Sequence, residues 1–187
     1  MIVGLTGGYG SGKDVVAEFF INKGFQYISL SNFIRDECIS DGIPLTRNSL
    51  IKKGNELRHR YGSWILAKMA VDVINPERNY VIGSIRNPDE VKFLRKSKNF
   101  HLVKVEAPDD LRLKRVNERH REEERYPDMD TFLAAEGKEM SSKDKENQNL
   151  EAVFSMASIV LFNKYKSKKS LFKVLEGMYS DLKKKEK

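Results

Sequence analysis

A chain of 187 residues, 40% of them hydrophobic and 33% charged, is long enough to build one globular domain around a sizeable core. No apolar run approaches the roughly 20 residues that cross a bilayer, so a membrane partner is not expected. The single cysteine, Cys38, excludes an internal disulfide framework and predicts a cytoplasmic location, where thiols stay reduced. Much of the formal charge of +7 comes from stretches 112–125 and 164–187, but no nucleic-acid signature accompanies them, so nucleic acid is not expected as a partner.

Short apolar runs alternate with longer amphipathic runs, which predicts strands separated by helices. The predicted strands are Ile2–Leu5, Gln26–Leu30, Tyr80–Gly83, Phe100–Glu106 and Ser158–Phe162. Helical spacing predicts helices from near Lys13, at 47–60, 87–98 and 109–125, two shorter ones within 130–157, and a last one at 168–184. Because strands that alternate with helices form parallel sheets covered on both faces, we predict one three-layer α/β domain over residues 1–187.

Gly7, Gly12 and Lys13 have the G-x4-G-K spacing of a phosphate-binding loop, between the first predicted strand and a predicted helix. Glycines let backbone N–H groups converge on an anion, and the helix N-terminus adds partial positive charge. The lysine would reach the β- and γ-phosphates, so the predicted ligand is ATP or another nucleoside triphosphate. The predicted cofactor-binding residues of this loop are Gly7, Gly8, Tyr9, Gly10, Ser11, Gly12, Lys13, Asp14 and Val15.

Asp14 stands where such loops usually carry a serine or threonine whose hydroxyl binds Mg²⁺. Hard cations favour oxygen ligands, so Asp14 is predicted to bind the metal directly or through water. Alternatively, Asp14 only stabilises the first helical turn through the helix dipole. The three histidines lack metal-ligand spacing, and a zinc site is not expected.

Several further segments resemble those of a known kinase family. They are "GGYGSGKD", "ISLSNFIRDE", "GIPLTRNSLIKKGNELRHRYG", "YVIGSIRNPDEV", "VEAPDDLRLKRVNER" and "ASIVLFN", in order over residues 1–163. The chain resembles P-loop kinases of the dephospho-CoA kinase and nucleoside monophosphate kinase type, and most of all the kinase-like domains found alone in archaea or fused to deoxycytidylate deaminases. The resemblance implies the P-loop NTPase fold, with the loop after the central strand of a five-stranded parallel sheet and a helical lid at about 112–140. It also implies ATP and Mg²⁺ as cofactors, a small nucleotide acceptor and a functional association with a deaminase.

Two positions depart from the pattern of that family. Asn32 and Gly83 stand where relatives usually carry aspartate. Either Asp14 takes over the charge balance of the metal, or the domain binds nucleotide and transfers phosphate poorly. Loss of a general base costs ~10²–10⁴-fold in rate, but a phosphate acceptor is already largely ionised and needs no base. The absence of an acid at Asn32 therefore favours a monophosphate acceptor over dephospho-CoA, whose acceptor is a hydroxyl.

Arginines are the candidate contacts to the transferred and accepting groups. Arg112, Arg115 and Arg119 form one helical stripe, either over the transferring phosphoryl group or facing solvent beside glutamates. The resemblance matches Arg119 and Arg121 best to the lid. The predicted catalytic residues are Lys13, Arg86, Arg119 and Arg121, and the predicted substrate-binding residues are Asn32, Arg35, Arg58 and Arg86.

Four of these assignments have structural alternatives. Arg35 and Arg58 either contact an acceptor phosphate or have a purely structural role. Arg86 either binds an acceptor phosphate or forms a salt bridge to Asp89 or Glu90. Asn163 matches a position that lies near the nucleotide base in the relatives, which makes it a cofactor-binding candidate, or it caps a helix.

The sequence thus predicts an ATP-dependent phosphotransferase with a small acceptor, first of all a (deoxy)nucleoside monophosphate. One alternative is dephospho-CoA kinase, and another is a non-catalytic regulatory nucleotide-binding module. A nucleic-acid binder that uses the basic tail is a third alternative. The acceptor, the choice between ATP and GTP and the oligomeric state are left open by the sequence.

Overall fold

The computed structural model describes residues 1–118, 125–140, 144, 147–165 and 167–185, without the side chains at positions 138 and 139. The strands of this part of the chain are β1 (Ile2–Thr6), β2 (Gln26–Ser29), β3 (Tyr80–Gly83), β4 (Phe100–Glu106) and β5 (Ile159–Phe162). They form one sheet in the order β2-β3-β1-β4-β5, and all neighbouring pairs are parallel. Ile2 of β1 pairs with Tyr80 on one side and with Phe100 on the other, which confirms the predicted five-stranded parallel sheet with β1 at its centre.

Helices connect the strands. They are α1 (Lys13–Asn22), α2 (Leu30–Ser40), α3 (Arg47–Tyr61), α4 (Ile65–Asp72), α5 (Pro88–Leu94), α6 (Asp109–Asn117), α7 (Met129–Met140), α8 (Leu150–Ser155) and α9 (Lys168–Lys184). The sequence pattern did not indicate α2 or α4. No turn signal separates β2 from α2, since Ser29 ends the strand and Leu30 begins the helix. α4 has only eight residues, too few to establish a clear periodicity.

Several predicted boundaries differ from the observed ones. The second strand ends at Ser29 because Leu30 already belongs to α2. The fifth strand begins at Ile159, one residue later than predicted. α5 ends at Leu94 and α6 at Asn117, earlier than residues 98 and 125. Local caps and tertiary contacts decide where a helix ends, and a periodic pattern does not show them.

Alternate residues of the buried strands face two hydrophobic layers, as parallel sheets in α/β proteins require. Tyr80 and Ile82 of β3 pack with residues of α2, α3, α4, α5 and α8, whereas Val81 packs with residues of α1 and α9. Phe19 and Phe20 of α1 are buried in the second layer. The helices therefore cover both faces of the sheet, and the predicted three-layer architecture is confirmed.

The strand order brings the carboxyl ends of β2, β3 and β1 side by side. Ligands of open α/β sheets bind beyond this edge, where the loops after the strands meet. The phosphate-binding loop, the start of α2 and the segment after β3 all lie there. Among the described residues, no helix combines the length and apolar content that a membrane span requires.

Candidate functional site

The loop between β1 and α1 requires glycine for its conformation and for space. Gly7, Gly10 and Gly12 have φ angles of 147°, 68° and 95°, a region that residues with a side chain rarely adopt. A Cβ atom at Gly10 would lie 2.3 Å from the main-chain oxygen of Arg112. α1 begins at Lys13, directly after the loop. The strand–loop–helix context predicted for the G-x4-G-K pattern is therefore present.

Asn163 follows β5 and holds the outer side of this loop. Its side chain is buried, and Nδ2 donates a hydrogen bond to the carbonyl oxygen of Ser11 at 2.8 Å. The C=O and N–H of one peptide unit point in opposite directions, so this bond directs the N–H of Gly12 towards the inside of the loop. The alternative that Asn163 caps the next helix is wrong, because Ser167 caps α9.

Arg112 and Arg115 of α6 hold two further carbonyl groups of the loop. Arg112 Nε donates to the carbonyl oxygen of Tyr9 at 2.9 Å, and Arg115 Nη1 donates to that of Gly10 at 3.3 Å. By the same geometry, the bond to Tyr9 directs the N–H of Gly10 inwards. The two arginines were predicted to lie over the transferring group or to face solvent, but both contact the outer side of the loop.

Tyr9 is held through its N–H group as well as its carbonyl. Glu136 of α7 accepts a hydrogen bond from Tyr9 N at 2.9 Å, and the same carboxylate oxygen accepts one from Arg112. The Arg112 guanidinium also lies 5.1 Å from the ring centre of the fully buried Phe132. Sequence reasoning missed Glu136, because a single acid on a helix gives no local signal that it meets a loop 127 residues away.

Lys13 and Asp14 lie at the inner end of the loop. Lys13 Nζ donates to the carbonyl oxygens of Gly7 and Gly8, both at 2.7 Å, so the ammonium group lies over the loop. Asp14 is an exposed residue in the first turn of α1. A carboxylate at this position interacts favourably with the helix dipole and is also accessible to a ligand.

A cavity of about 770 Å³ extends from the loop over the carboxyl ends of the strands. The predicted site residues that line it are Tyr9, Gly10, Gly12, Lys13, Asp14, Asn32, Arg35, Arg58 and Arg86. Gly7, Gly8, Ser11, Val15 and Asn163 are not among its lining residues. The cavity is strongly basic, since Asp14 is the one acid among the described residues that line it, whereas Arg47 adds to the lysine and arginines named above.

Arg58 lies at the back of the cavity with its charge paired. Its Nε and Nη2 donate to Glu90 Oε1 at 3.1 and 2.8 Å, and both residues are at most 1% exposed. The other carboxylate oxygen of Glu90 accepts from the backbone N–H of Arg86 at 2.8 Å. This geometry favours a structural role for Arg58 over the predicted contact to an acceptor phosphate. The Arg86 side chain extends to Gln148, with 3.1 Å between Nη1 and Oε1.

Arg35 of α2 reaches the cavity beside two neutral side chains. Its Nη1 donates to Ser31 Oγ at 2.8 Å and to Asn32 Oδ1 at 3.2 Å. These hydrogen bonds orient the guanidinium without neutralising it. The predicted substrate-binding residues Asn32 and Arg35 therefore lie side by side, and the positive charge of Arg35 faces the cavity.

The ring of Tyr27 occupies the space beside Gly83. A Cβ atom at Gly83 would lie 2.7 Å from the Tyr27 hydroxyl, so a side chain at that position would displace the phenol. Partial burial raises the pKa of Tyr27 and outweighs a hydrogen bond with Ser29 that lowers it; the negative charge of Asp14 adds to the increase. The phenol is therefore protonated throughout the neutral pH range. Sequence reasoning did not identify Tyr27, because its position over Gly83 depends on strand pairing.

The predicted lid at 112–140 lies partly within the described residues. Arg119 and Arg121 lie outside the described residues, so their catalytic role stays a prediction. Of the segment 112–140, the structure describes α6 and α7, and both contact the phosphate-binding loop through Arg112 and Glu136.

No family model matches the chain. It is 32% identical to a UPF0200 protein of Thermococcus kodakarensis over 131 residues. This alignment covers 66% of this chain and 71% of the relative. The chain belongs to the UPF0200 family. A second UPF0200 protein, from Thermococcus gammatolerans, is 33% identical over 131 residues, with 66% and 69% of the two chains covered. A UPF0200 protein of Methanococcus vannielii is 25% identical over 187 residues, with 98% and 95% covered.

Solved structures show which fold this UPF0200 member has. Shikimate kinase from Bacteroides thetaiotaomicron superposes with a TM-score of 0.59 at 15% identity, over 96% of this chain and 98% of the kinase. Shikimate kinase from Acinetobacter baumannii gives a TM-score of 0.58 at 14% identity, over 96% and 93% of the two chains. At these identities the likeness concerns the fold, which is that of P-loop kinases.

Proposed function

We propose that the protein transfers the γ-phosphoryl group of ATP, with Mg²⁺, to a small anionic acceptor, first of all a (deoxy)nucleoside monophosphate. The observation that carries this proposal is the junction of two features in one cavity. A glycine loop with outward-held carbonyls forms one end, and Arg35, Arg47 and Arg86 line the remainder. A polyphosphate donor fits the first feature, and an anionic acceptor fits the second.

The donor site would use the inner face of the loop. The N–H groups of Gly10 and Gly12 and the N-terminus of α1 would bind the β-phosphate. Lys13 would leave the loop carbonyls and move to the β- and γ-phosphates, a change that the flexible lysine side chain allows. Asn163 supports this site through Ser11; a contact between Asn163 and the nucleotide base is a further part of the proposal.

A magnesium ion fits this site better than a metal held by the protein alone. Among the described residues no group of three or more His, Cys, Asp or Glu side chains could hold a metal. Mg²⁺ typically needs only one or two carboxylates besides substrate phosphates and water, and Asp14 supplies one carboxylate in the cavity. When bound, the ion would neutralise charge on the transferring phosphates.

The transfer requires no proton from the acceptor. An oxygen of the acceptor phosphate forms a bond to the γ-phosphorus, while the bond to the β–γ bridging oxygen breaks and ADP leaves. Phosphoryl transfer depends mostly on positioning and on electrostatic stabilisation. We assign these tasks to Arg86 at the acceptor and, as part of the proposal, to Arg119 and Arg121 in a lid that closes over the phosphates.

The test is ADP release by the purified protein with MgATP and each of the deoxynucleoside monophosphates or dephospho-CoA. Lys13→Ala should abolish turnover, whereas Lys98→Ala, an exposed lysine at the opposite edge of the sheet, should not change it. Turnover with dephospho-CoA alone would favour the alternative kinase. ATP binding without ADP release for any acceptor would favour the regulatory module, and a lack of ATP binding would overturn both.

A further inference from the structure

The hydroxyl groups of Ser29, Ser31 and Ser84 form a cluster, called here the serine cluster, that has no part in the reaction described above. The three Oγ–Oγ distances are 2.9, 3.0 and 3.3 Å. All three residues line the cavity, at the carboxyl ends of β2 and β3. Hydroxyl groups so placed face any acceptor that binds beside the phosphate-binding loop.

The backbone of Ser84, whose hydroxyl belongs to the serine cluster, has an uncommon conformation. Among the described residues, Ser84 and Asn99 are the two non-glycine residues with positive φ, at 63° and 58°. Asparagine adopts this conformation readily because its short polar side chain bonds to the local backbone, whereas serine does so less often. Strain of this kind persists where the surrounding structure requires it and is frequent at functional sites.

Arg35 connects the serine cluster to a positive charge. Each serine hydroxyl has one proton and two lone pairs, and Ser31 uses a lone pair to accept from Arg35 Nη1 at 2.8 Å. Its own proton can then be donated to a neighbour or to a ligand. Hydroxyl donors beside a guanidinium are well suited to an anionic oxygen, because charge-assisted hydrogen bonds are the strong ones.

We propose that the serine cluster and Arg35 bind an anionic oxygen of the acceptor, which selects acceptors that are ionised before transfer. This inference depends on the proposed function for the identity of the acceptor. Asp14, which we assign to Mg²⁺, is the one acid among the described residues that line the cavity. A neutral hydroxyl acceptor would therefore lack a carboxylate at the ends of β2 and β3 to take its proton.

The experiment compares Ser31→Ala and Ser84→Ala with the unmodified protein. Calorimetry with ATP, with the four deoxynucleoside monophosphates and with inorganic phosphate measures donor and acceptor binding separately. Each substitution should weaken monophosphate binding about tenfold, because a hydrogen bond to a charged group is lost, and should change ATP affinity less than twofold. Unchanged monophosphate affinity in both variants would overturn the proposal, as would a lack of binding of every acceptor probe to the unmodified protein.

A second pair of variants separates binding from backbone strain. Ser84→Gly and Asn99→Gly both relieve a positive φ, but Asn99 lies before β4, at the opposite edge of the sheet. Both variants should keep or raise the melting temperature, and only Ser84→Gly should lose monophosphate affinity. Equal monophosphate affinity of the Ser84→Gly and Asn99→Gly variants would overturn the proposal. Monophosphate binding that depends on the serines but yields no ADP would support it while the proposed transfer fails.

Discussion

Arg58 of α3 and Glu90 of α5 form an ion pair, with 2.8 Å between Nη2 and Oε1, that is almost fully removed from solvent. Glu90 also accepts hydrogen bonds from the backbone N–H groups of Arg86 and Asn87, at 2.8 and 3.1 Å. The pair therefore fixes the segment after β3 from which Arg86 enters the cavity. Its contribution to the site is indirect, through the position of that segment.

Loss of Arg58 should destabilise the folded protein, because the buried carboxylate of Glu90 would lose its charged partner. We expect Arg58→Ala to lower the free energy of unfolding by about 3–5 kcal/mol, measured by urea denaturation. The control is Lys92→Ala, which removes the exposed pair with Asp89 and should cost less than about 1 kcal/mol. Similar losses in both variants would contradict the structural role of Arg58.

Gly42 and Gly10 have nearly equal φ angles but different surroundings. Alanine substitutions at the two positions therefore distinguish backbone strain from steric exclusion. Gly42→Ala should cost about 1–2 kcal/mol of stability, since φ is 67° but no atom beyond the adjacent residues lies within 4 Å of the added Cβ. Gly10→Ala should cost more and should abolish ATP binding, because φ is 68° and the Cβ would meet the main-chain oxygen of Arg112. Thermal unfolding and calorimetry with MgATP measure the two effects. Equal stability losses with intact ATP binding would refute this account of the loop.

The hydrogen bond from Asn163 to Ser11 should strengthen ATP binding. Asn163→Ala leaves a buried carbonyl without this hydrogen bond, so we expect a stability loss of about 1–3 kcal/mol and roughly tenfold weaker MgATP binding. Ser167→Ala is a matched control, because it removes the cap of α9 and should cost about 1 kcal/mol without weakening ATP. An Asn163→Ala protein with normal ATP affinity would show that the loop keeps its shape unaided.

Acid should weaken the start of α7, which carries Glu136. Hydrogen bonds from the backbone and side chain of Thr131 lower the pKa of Asp128 below its ordinary value of 3.8. Because the folded-state pKa is lowered, this stabilisation is present above pH 3.8 and is lost as the pH falls through the folded-state pKa. Asp128→Ala should therefore be less stable than the unmodified protein at pH 7, and the stability difference should shrink as the pH falls below 3.8. A pH-independent difference in unfolding would contradict this.

The fold and the conformation of the glycine loop could be predicted to a large extent from sequence. The glycine loop is a local feature, since its strand, its glycines and its helix are consecutive in the chain. The sheet followed from the alternation of apolar and amphipathic runs, because each element carries its own periodicity. The sequence pattern did not indicate α2, because this helix begins directly after β2 with no turn between them.

Sequence by itself determined that a glycine loop with Lys13 and Asp14 follows a buried first strand and starts a helix. The tertiary structure alone decided the role of Arg112, which holds the loop instead of covering a ligand, and the pairing of Arg58 with Glu90. It also decided that the hydroxyl groups of Ser29, Ser31 and Ser84 lie within hydrogen-bond distance of one another. The physical reason is distance along the chain: hydrogen bonds and ion pairs between residues far apart in sequence depend on how the elements pack, and no local periodicity records that packing.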